Sequence, residues 1–319
     1  MTTGPRGSTD AARPLPDWAG EPRRPGMLRR GDRIAVIAPA SAAAKPRLMR
    51  GAAALEELGF EPRIEKQALL RRGRYAGTDA ERAKALLRAI AAPDVGAVVF
   101  ARGGFGAARI LPLVADALLA SSPKILVGYS DATSLLSFLT GKLGWVTFHG
   151  PMVASDFGEL GARDRSSFVA ALTSEAPAPL RLSKTIRRGI AEGQVFGGCL
   201  SILVSLLGTP YAVDLSDRIL FLEDVHEEPY QLDRMLTQLR QTGQLGRARG
   251  IVFGEMARCG RRSELLAVLE ERTADLGIPV AFGLPSGHGR GKRTLPLGVR
   301  ARLDATSLRL DILESAVSP

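Results

Sequence analysis

Ser130 stands where an apolar strand pattern, KILVGY, gives way to a helical one, SDATSLL. A hydroxyl at so tight a strand-to-helix corner is exposed, and the backbone N–H groups after it open the positive end of the helix. That geometry suits a nucleophile with an oxyanion hole beside it. On the local pattern alone the same serine reads rather as an N-cap, the commonest task of serine before a helix. The turn also departs from a G-x-S-x-G elbow, because Ala132 stands where the second glycine would be.

A serine nucleophile needs a base, and three histidines are available: His149 in FHGP, His226 in EDVHEEP and His288 in SGHGRG. His288, between Gly287 and Gly289, projects from a loop with little cover, poised to approach another domain. His149 ends a strand near Pro151, which suits a hydrogen-bonded structural residue, and His226 sits among four carboxylates that would solvate it. Taken singly, each fits a structural role better than a catalytic one. The carboxylate that would orient a base is sought at another strand end. Glu223 closes the apolar run RILFLE, a polar group delivered as Ser130 is. Asp224, Glu227 and Glu228 read as solvent-facing or helix-start charges before the helix at Pro229.

The loop ARGGFGAARILP follows the strand GAVVF. It lacks the spacing of a dinucleotide fingerprint, and no GK[ST] occurs in the chain. Adjacent glycines after a strand can bring bare N–H groups close to a ligand. Arg102 offers a forked donor for a substrate carboxylate, or else a surface salt bridge.

These residues need a scaffold of strand ends. From GDRIAVIAPAS onward, apolar strand runs alternate with helical ones, which predicts an α/β fold with a doubly wound, mostly parallel sheet. Thr78 and Glu81 have capping-box spacing, and Gly59 closes the helix ending LEELGF. Residues 1–28, rich in Pro, Gly and Arg, read as a disordered leader, and 29–151 as the domain carrying the serine. Residues 152–194, with SEAPAPLRL, read as an interdomain connection, and 195–319 as a smaller, β-rich C-terminal domain.

Composition narrows the partners. The net charge of +10 has no basic stripe interleaved with aromatics, so a solvated surface is expected and not a nucleic-acid footprint. Two distant cysteines, Cys199 and Cys259, suggest neither disulfide nor metal site, and no apolar run is long enough for a signal peptide or membrane span. A cytoplasmic protein without membrane partner, metal or cofactor is expected.

Seven blocks in order resemble the L,D-carboxypeptidase family of serine peptidases, which includes muramoyltetrapeptide carboxypeptidases and microcin C immunity peptidases. They are GDRIAVIAPAS, ARGGFGAARILP, KILVGYSDATSL, FHGPM, GGCLSILVSLLGTPY, FLEDVHEEPYQLDRMLTQL and GHGRGKRTLPLG, covering Gly31 to about Asp304. The resemblance implies a first domain similar to the class I glutamine amidotransferase fold. It implies a triad of Ser130 as nucleophile, His288 as base and Glu223 as orienting carboxylate, with an oxyanion hole from the backbone of Asp131 and of Gly103 or Gly104. It implies a muropeptide substrate that loses a terminal D-alanine in cell-wall recycling, and a homodimer. An immunity-type peptidase acting on peptidyl nucleotides is the second reading, and a non-catalytic basic binding protein the third. Cys199 stands where many relatives carry Asn, a change expected to alter packing or hydrogen bonding near the site.

Overall fold

The computed structural model describes residues 16–173 and 179–319. Five parallel strands begin it: β1 (Arg33–Ile37), β2 (Glu61–Ile64), β3 (Val95–Phe100), β4 (Ile125–Gly128) and β5 (Thr147–His149). They lie in the order β5-β4-β3-β1-β2. The crossovers carry α1 (Lys45–Glu57), α2 (Asp79–Ala91), α3 (Ala107–Leu119) and α4 (Thr133–Leu143). The central strands are buried on both faces, which is why they read as continuous apolar runs and not as alternation. The Thr78–Glu81 capping box forms in both directions, and Gly59 takes φ +89° just past α1.

After α5 (Ala162–Leu172) the chain builds a second, eight-stranded sheet. It contains β6 (Leu180–Arg181), β7 (Lys184–Arg187), β8 (Ile190–Cys199), β9 (Arg218–Val225), β10 (Gly250–Ala257) and β11 (Val280–Leu284). Helices α6 (Leu200–Ser205), α7 (Pro229–Gln241) and α8 (Arg262–Thr273) lie between the last four strands, which are parallel. β12 (Leu295–Leu297) follows, then the hairpin β13 (Arg300–Asp304) and β14 (Arg309–Ile312), giving the order β6-β14-β13-β8-β9-β10-β11-β7.

The second half is therefore itself α/β, and its sheet is the larger one, where a smaller β-rich domain was expected. Nor do the halves divide cleanly at one point in the chain. β12 crosses back and pairs antiparallel with β5, Leu295 opposite His149. The stretch expected to be only a connection supplies α5 and both edge strands of the second sheet, β6 and β7; residues 174–178, within SEAPAPLRL, lie outside the described residues.

The expected disordered leader also differs. Residues 1–15 lie outside the described residues, but from residue 16 the chain is pinned to the body. Trp18 N donates to Gly141 O at 2.8 Å, Arg23 N to Gly144 O at 2.7 Å and Leu28 N to Leu172 O at 2.8 Å. Low apolar content hid these contacts, because they are mostly backbone hydrogen bonds, which composition does not report.

β9 shows how the site is delivered. Ile219 and Phe221 face the core shared with the first half, whereas Leu220 and Leu222 face a separate core under α6 and α7. By the two-residue period of a strand, Glu223 falls on the face toward the first half and Asp224 on the other.

Candidate active site

Ser130 lies two residues past the end of β4, after Tyr129, and takes a left-handed φ of +62°. A non-glycine residue there is strained, and such strain collects at functional turns. The N-cap role is not what the hydroxyl does: neither the short 3-10 turn it opens nor α4 after it receives a side-chain cap bond. Capping falls to Asp131, but for a different helix. Its buried Oδ2 accepts from Ala107 N at 2.7 Å, at the start of α3. Burial pushes the Asp131 pKa up, and the bond from Ala107 partly offsets it.

That bond fixes the glycine loop beside the serine. Gly106 O also accepts from Arg82 Nη1 at 2.6 Å, and the same nitrogen donates to Pro39 O at 2.5 Å, from a side chain with no exposed surface. A Cβ on Gly103 would lie 2.8 Å from Ser130 Cβ, 3.0 Å from Ser130 Oγ and 3.3 Å from Asp131 N. Only glycine lets the loop backbone come this close to the serine. Gly104, the other oxyanion candidate, instead faces Ser41, whose Oγ would sit 2.3 Å from an added Cβ.

Glu223 and His288 are in direct contact. Glu223 Oε2 accepts from His288 Nδ1 at 2.7 Å and from His288 N at 3.1 Å. Gly287 makes room for this, since a Cβ there would lie 2.4 Å from the same oxygen. Burial alone would raise the Glu223 pKa, but the two imidazoles that face the carboxylate, His149 and His288, outweigh it and bring it down to about 2. The carboxylate is therefore ionised throughout the neutral range.

His288 is better covered than its glycine-flanked loop suggested, because Tyr129 packs edge-on against its ring with centroids 4.9 Å apart. Tyr129 immediately precedes Ser130, so the imidazole meets the serine corner through this contact. Among the described residues no hydrogen bond joins Ser130 to His288; such bonds commonly tighten only with substrate bound. Tyr129 is held in turn: its Oη donates to Asp156 Oδ1 at 3.1 Å and accepts from Lys292 Nζ at 3.2 Å. Burial, then Asp156, drives the phenol pKa up, so it stays a neutral donor. Lys292 also donates to Gly287 O at 2.7 Å and pairs with Asp156 at 3.3 Å, tying the histidine loop to the first half.

The remaining candidates separate. His149 is buried beside Glu223, with Nε2 3.5 Å from Oε1. His226 is on the surface, its Nε2 3.0 Å from Arg258 Nη1. Asp224 is not solvent-facing as expected: it is 1% exposed and accepts from Ser201 N at 2.7 Å, capping α6. The Cys199 thiol donates to Asp224 Oδ1 at 3.4 Å, and burial pushes its pKa well up, so it is no nucleophile. Arg102 is exposed, donates to Ala42 O at 3.4 Å, and shares with Arg71, Arg74, Ser41, Gly104 and Phe105 a cavity of about 380 Å³.

Sequence reasoning missed Tyr129, Lys292 and the side chain of Asp131. Each acts through a partner more than 20 residues away, which no local pattern displays. His149 had one signal, its place at the end of a strand.

Residues 34–150 match the LD-carboxypeptidase N-terminal domain, and residues 192–303 match the LD-carboxypeptidase C-terminal domain. The chain belongs to the LD-carboxypeptidase family. Among the carboxypeptidases it resembles is the probable murein peptide carboxypeptidase of Bacillus subtilis, 36% identical over 92% of this chain and 95% of that protein. The crystal structure of muramoyltetrapeptide carboxypeptidase from Oxalobacter formigenes superposes with a TM-score of 0.80 at 36% identity, covering 88% of this chain and 98% of that one. The microcin C7 self-immunity protein MccF, known as such from Escherichia coli, superposes with a TM-score of 0.86 at 27% identity, covering 93% of this chain and 100% of the other. As a member of this family, the chain is a carboxypeptidase.

Proposed function

We propose that this carboxypeptidase removes the terminal D-alanine from muropeptide tetrapeptides by serine catalysis, as a step of cell-wall recycling in the cytoplasm. The observation that carries the reading is the ionised Glu223 bonded to His288 Nδ1, on a loop packed against Tyr129 next to the strained Ser130. Ser130 Oγ attacks the carbonyl carbon of the L,D amide while His288 Nε2 takes its proton. Backbone N–H groups at Asp131 and in the Gly103–Gly104 loop stabilise the oxyanion. The C–N bond breaks as His288 protonates the leaving amine of D-alanine, and the acyl group stays on Ser130 as an ester. Water, deprotonated by His288, then releases the tripeptide.

The three guanidinium groups of Arg71, Arg74 and Arg102 line a cavity that Gly104 also lines and that has no carboxylate in its lining. They suit the free carboxylate that a carboxypeptidase substrate presents at its C-terminus. The strand order of the first sheet supports a doubly wound unit of the class I glutamine amidotransferase type. Homodimerisation is carried over from the resemblance.

The immunity reading, with a peptidyl nucleotide as substrate, is less well supported. The aromatic residues in 152–193 are Phe157 and Phe168, both fully buried and packed edge-on with centroids 4.9 Å apart, so neither offers a face to a nucleobase. Incubation with defined muropeptides, D-alanine release being followed by mass, tests the proposal against an aminoacyl sulfamoyl adenylate. Tetrapeptide turnover that disappears in Ser130→Ala is the expected result. Undiminished turnover in that variant, or cleavage of the nucleotide alone, overturns it.

A further inference from the structure

His288 satisfies one oxygen of the Glu223 carboxylate twice, yet the other, Oε1, is completely buried and has no partner of hydrogen-bonding geometry among the described residues. What faces it is Nε2 of His149, at 3.5 Å, itself buried and unpaired. Leaving a buried carboxylate oxygen unpaired is costly, so the contact calls for a hydrogen on Nε2.

The surroundings of His149 decide whether that hydrogen is present. The ring is held between Tyr129 and Phe221, with centroids 5.7 and 4.9 Å away, and its Nδ1 lies 3.2 Å from Ser286 Oγ. Ser286, fully buried, has a single hydroxyl hydrogen, and Arg293 O lies 2.8 Å from Oγ. If that hydrogen goes to Arg293 O, Nδ1 must donate to Ser286, and a bare Nε2 would point its lone pair at an ionised carboxylate. Only the imidazolium avoids this. If the hydroxyl hydrogen turns to Nδ1, the neutral ring carries its hydrogen on Nε2. Both satisfied arrangements direct an N–H at Glu223 Oε1.

We infer that His149 is a positioning residue, the second imidazole of a His149–Glu223–His288 chain, which clamps the free oxygen of the carboxylate. With both oxygens held, the carboxylate cannot rotate about its last torsion, and the Nδ1–H tautomer of His288 is fixed with Nε2 free for Ser130. His149 belongs to the first half, its strand paired with β4 at Gly128, so it also aligns the carboxylate from the second half with the serine corner.

This inference rests on the proposed triad, and the test separates the two. In His149→Leu, kcat falls roughly tenfold to a hundredfold with KM unchanged, as when an outer partner of an oriented imidazole is removed. His149→Gln, whose amide can still donate to Oε1, recovers most of that loss. Nitrogen-15 NMR of wild-type histidines, assigned with these variants, shows the His149 Nε2 protonated from pH 6 to 8. An unprotonated Nε2, or a folded His149→Leu enzyme with kcat within threefold of wild type, overturns the inference. The NMR result does not depend on activity, so it stands or falls separately from the Ser130→Ala test of the triad.

Discussion

Glu223 Oε2 accepts two hydrogen bonds from one residue, the side chain and the backbone N–H of His288, at 2.7 and 3.1 Å. This double attachment fixes both the ring tautomer and the loop that carries it. The carboxylate comes from the end of β9 and the histidine from the loop after β11, strands separated by β10 in the same sheet. The pair is thus preassembled within the second half, and the serine corner meets it through Tyr129.

Replacing Glu223 by Gln keeps the shape of the site but removes the negative charge that stabilises the imidazolium, and the amide has only one oxygen where the carboxylate offers one to His288 and one to His149. D-alanine release should fall on the order of 10⁴-fold in kcat, with KM little changed, by comparison with the same change in other triads. Steady-state kinetics on the tetrapeptide measure both terms.

Acid should unfold the protein partly through this residue. The Glu223 pKa drops from its usual 4.5 to about 2, so the folded state favours the ionised form. Its contribution is fully present above pH 4.5 and is lost as pH falls toward 2. The amount is on the order of 3 kcal/mol. Melting temperatures recorded across that window should fall more steeply for wild type than for Glu223→Gln.

Gly103→Ala places a methyl group where Ser130 now sits, 2.8 Å from its Cβ. The loop must withdraw, and with it a backbone donor of the proposed oxyanion hole. A loss of about 10²- to 10³-fold in kcat is expected. Gly246→Ala, at a position with open space around it, serves as the control and should leave the rate unchanged.

The arginine-lined cavity should act on binding and not on chemistry. Arg74→Ala raises KM for the tetrapeptide roughly tenfold, about the worth of one hydrogen bond to a charged group, and leaves kcat near wild type. Rising salt should narrow the difference between the two proteins, because the lost interaction is between exposed charges.

Local chemistry in the chain determined a good deal. The parallel strands of the first half, the Thr78–Glu81 box, the tight corner at Ser130 and the strand-end position of Glu223 all depend on residues a few positions apart, and periodicity displays them. The two-residue period of RILFLED even places Glu223 and Asp224 on opposite faces, but it does not say which face meets the other half. That choice decided that Glu223 joins His288 and that Asp224 is buried under α6. Tertiary structure alone brought His149 to the free oxygen of Glu223, Tyr129 to His288, and Lys292 to Asp156. It alone returned β12 to the first sheet and pinned residues 16–28 to the body. The physical reason is one of range: hydrogen bonding and apolar burial between distant segments carry no period along the chain, so they become visible only when the backbone has closed around them.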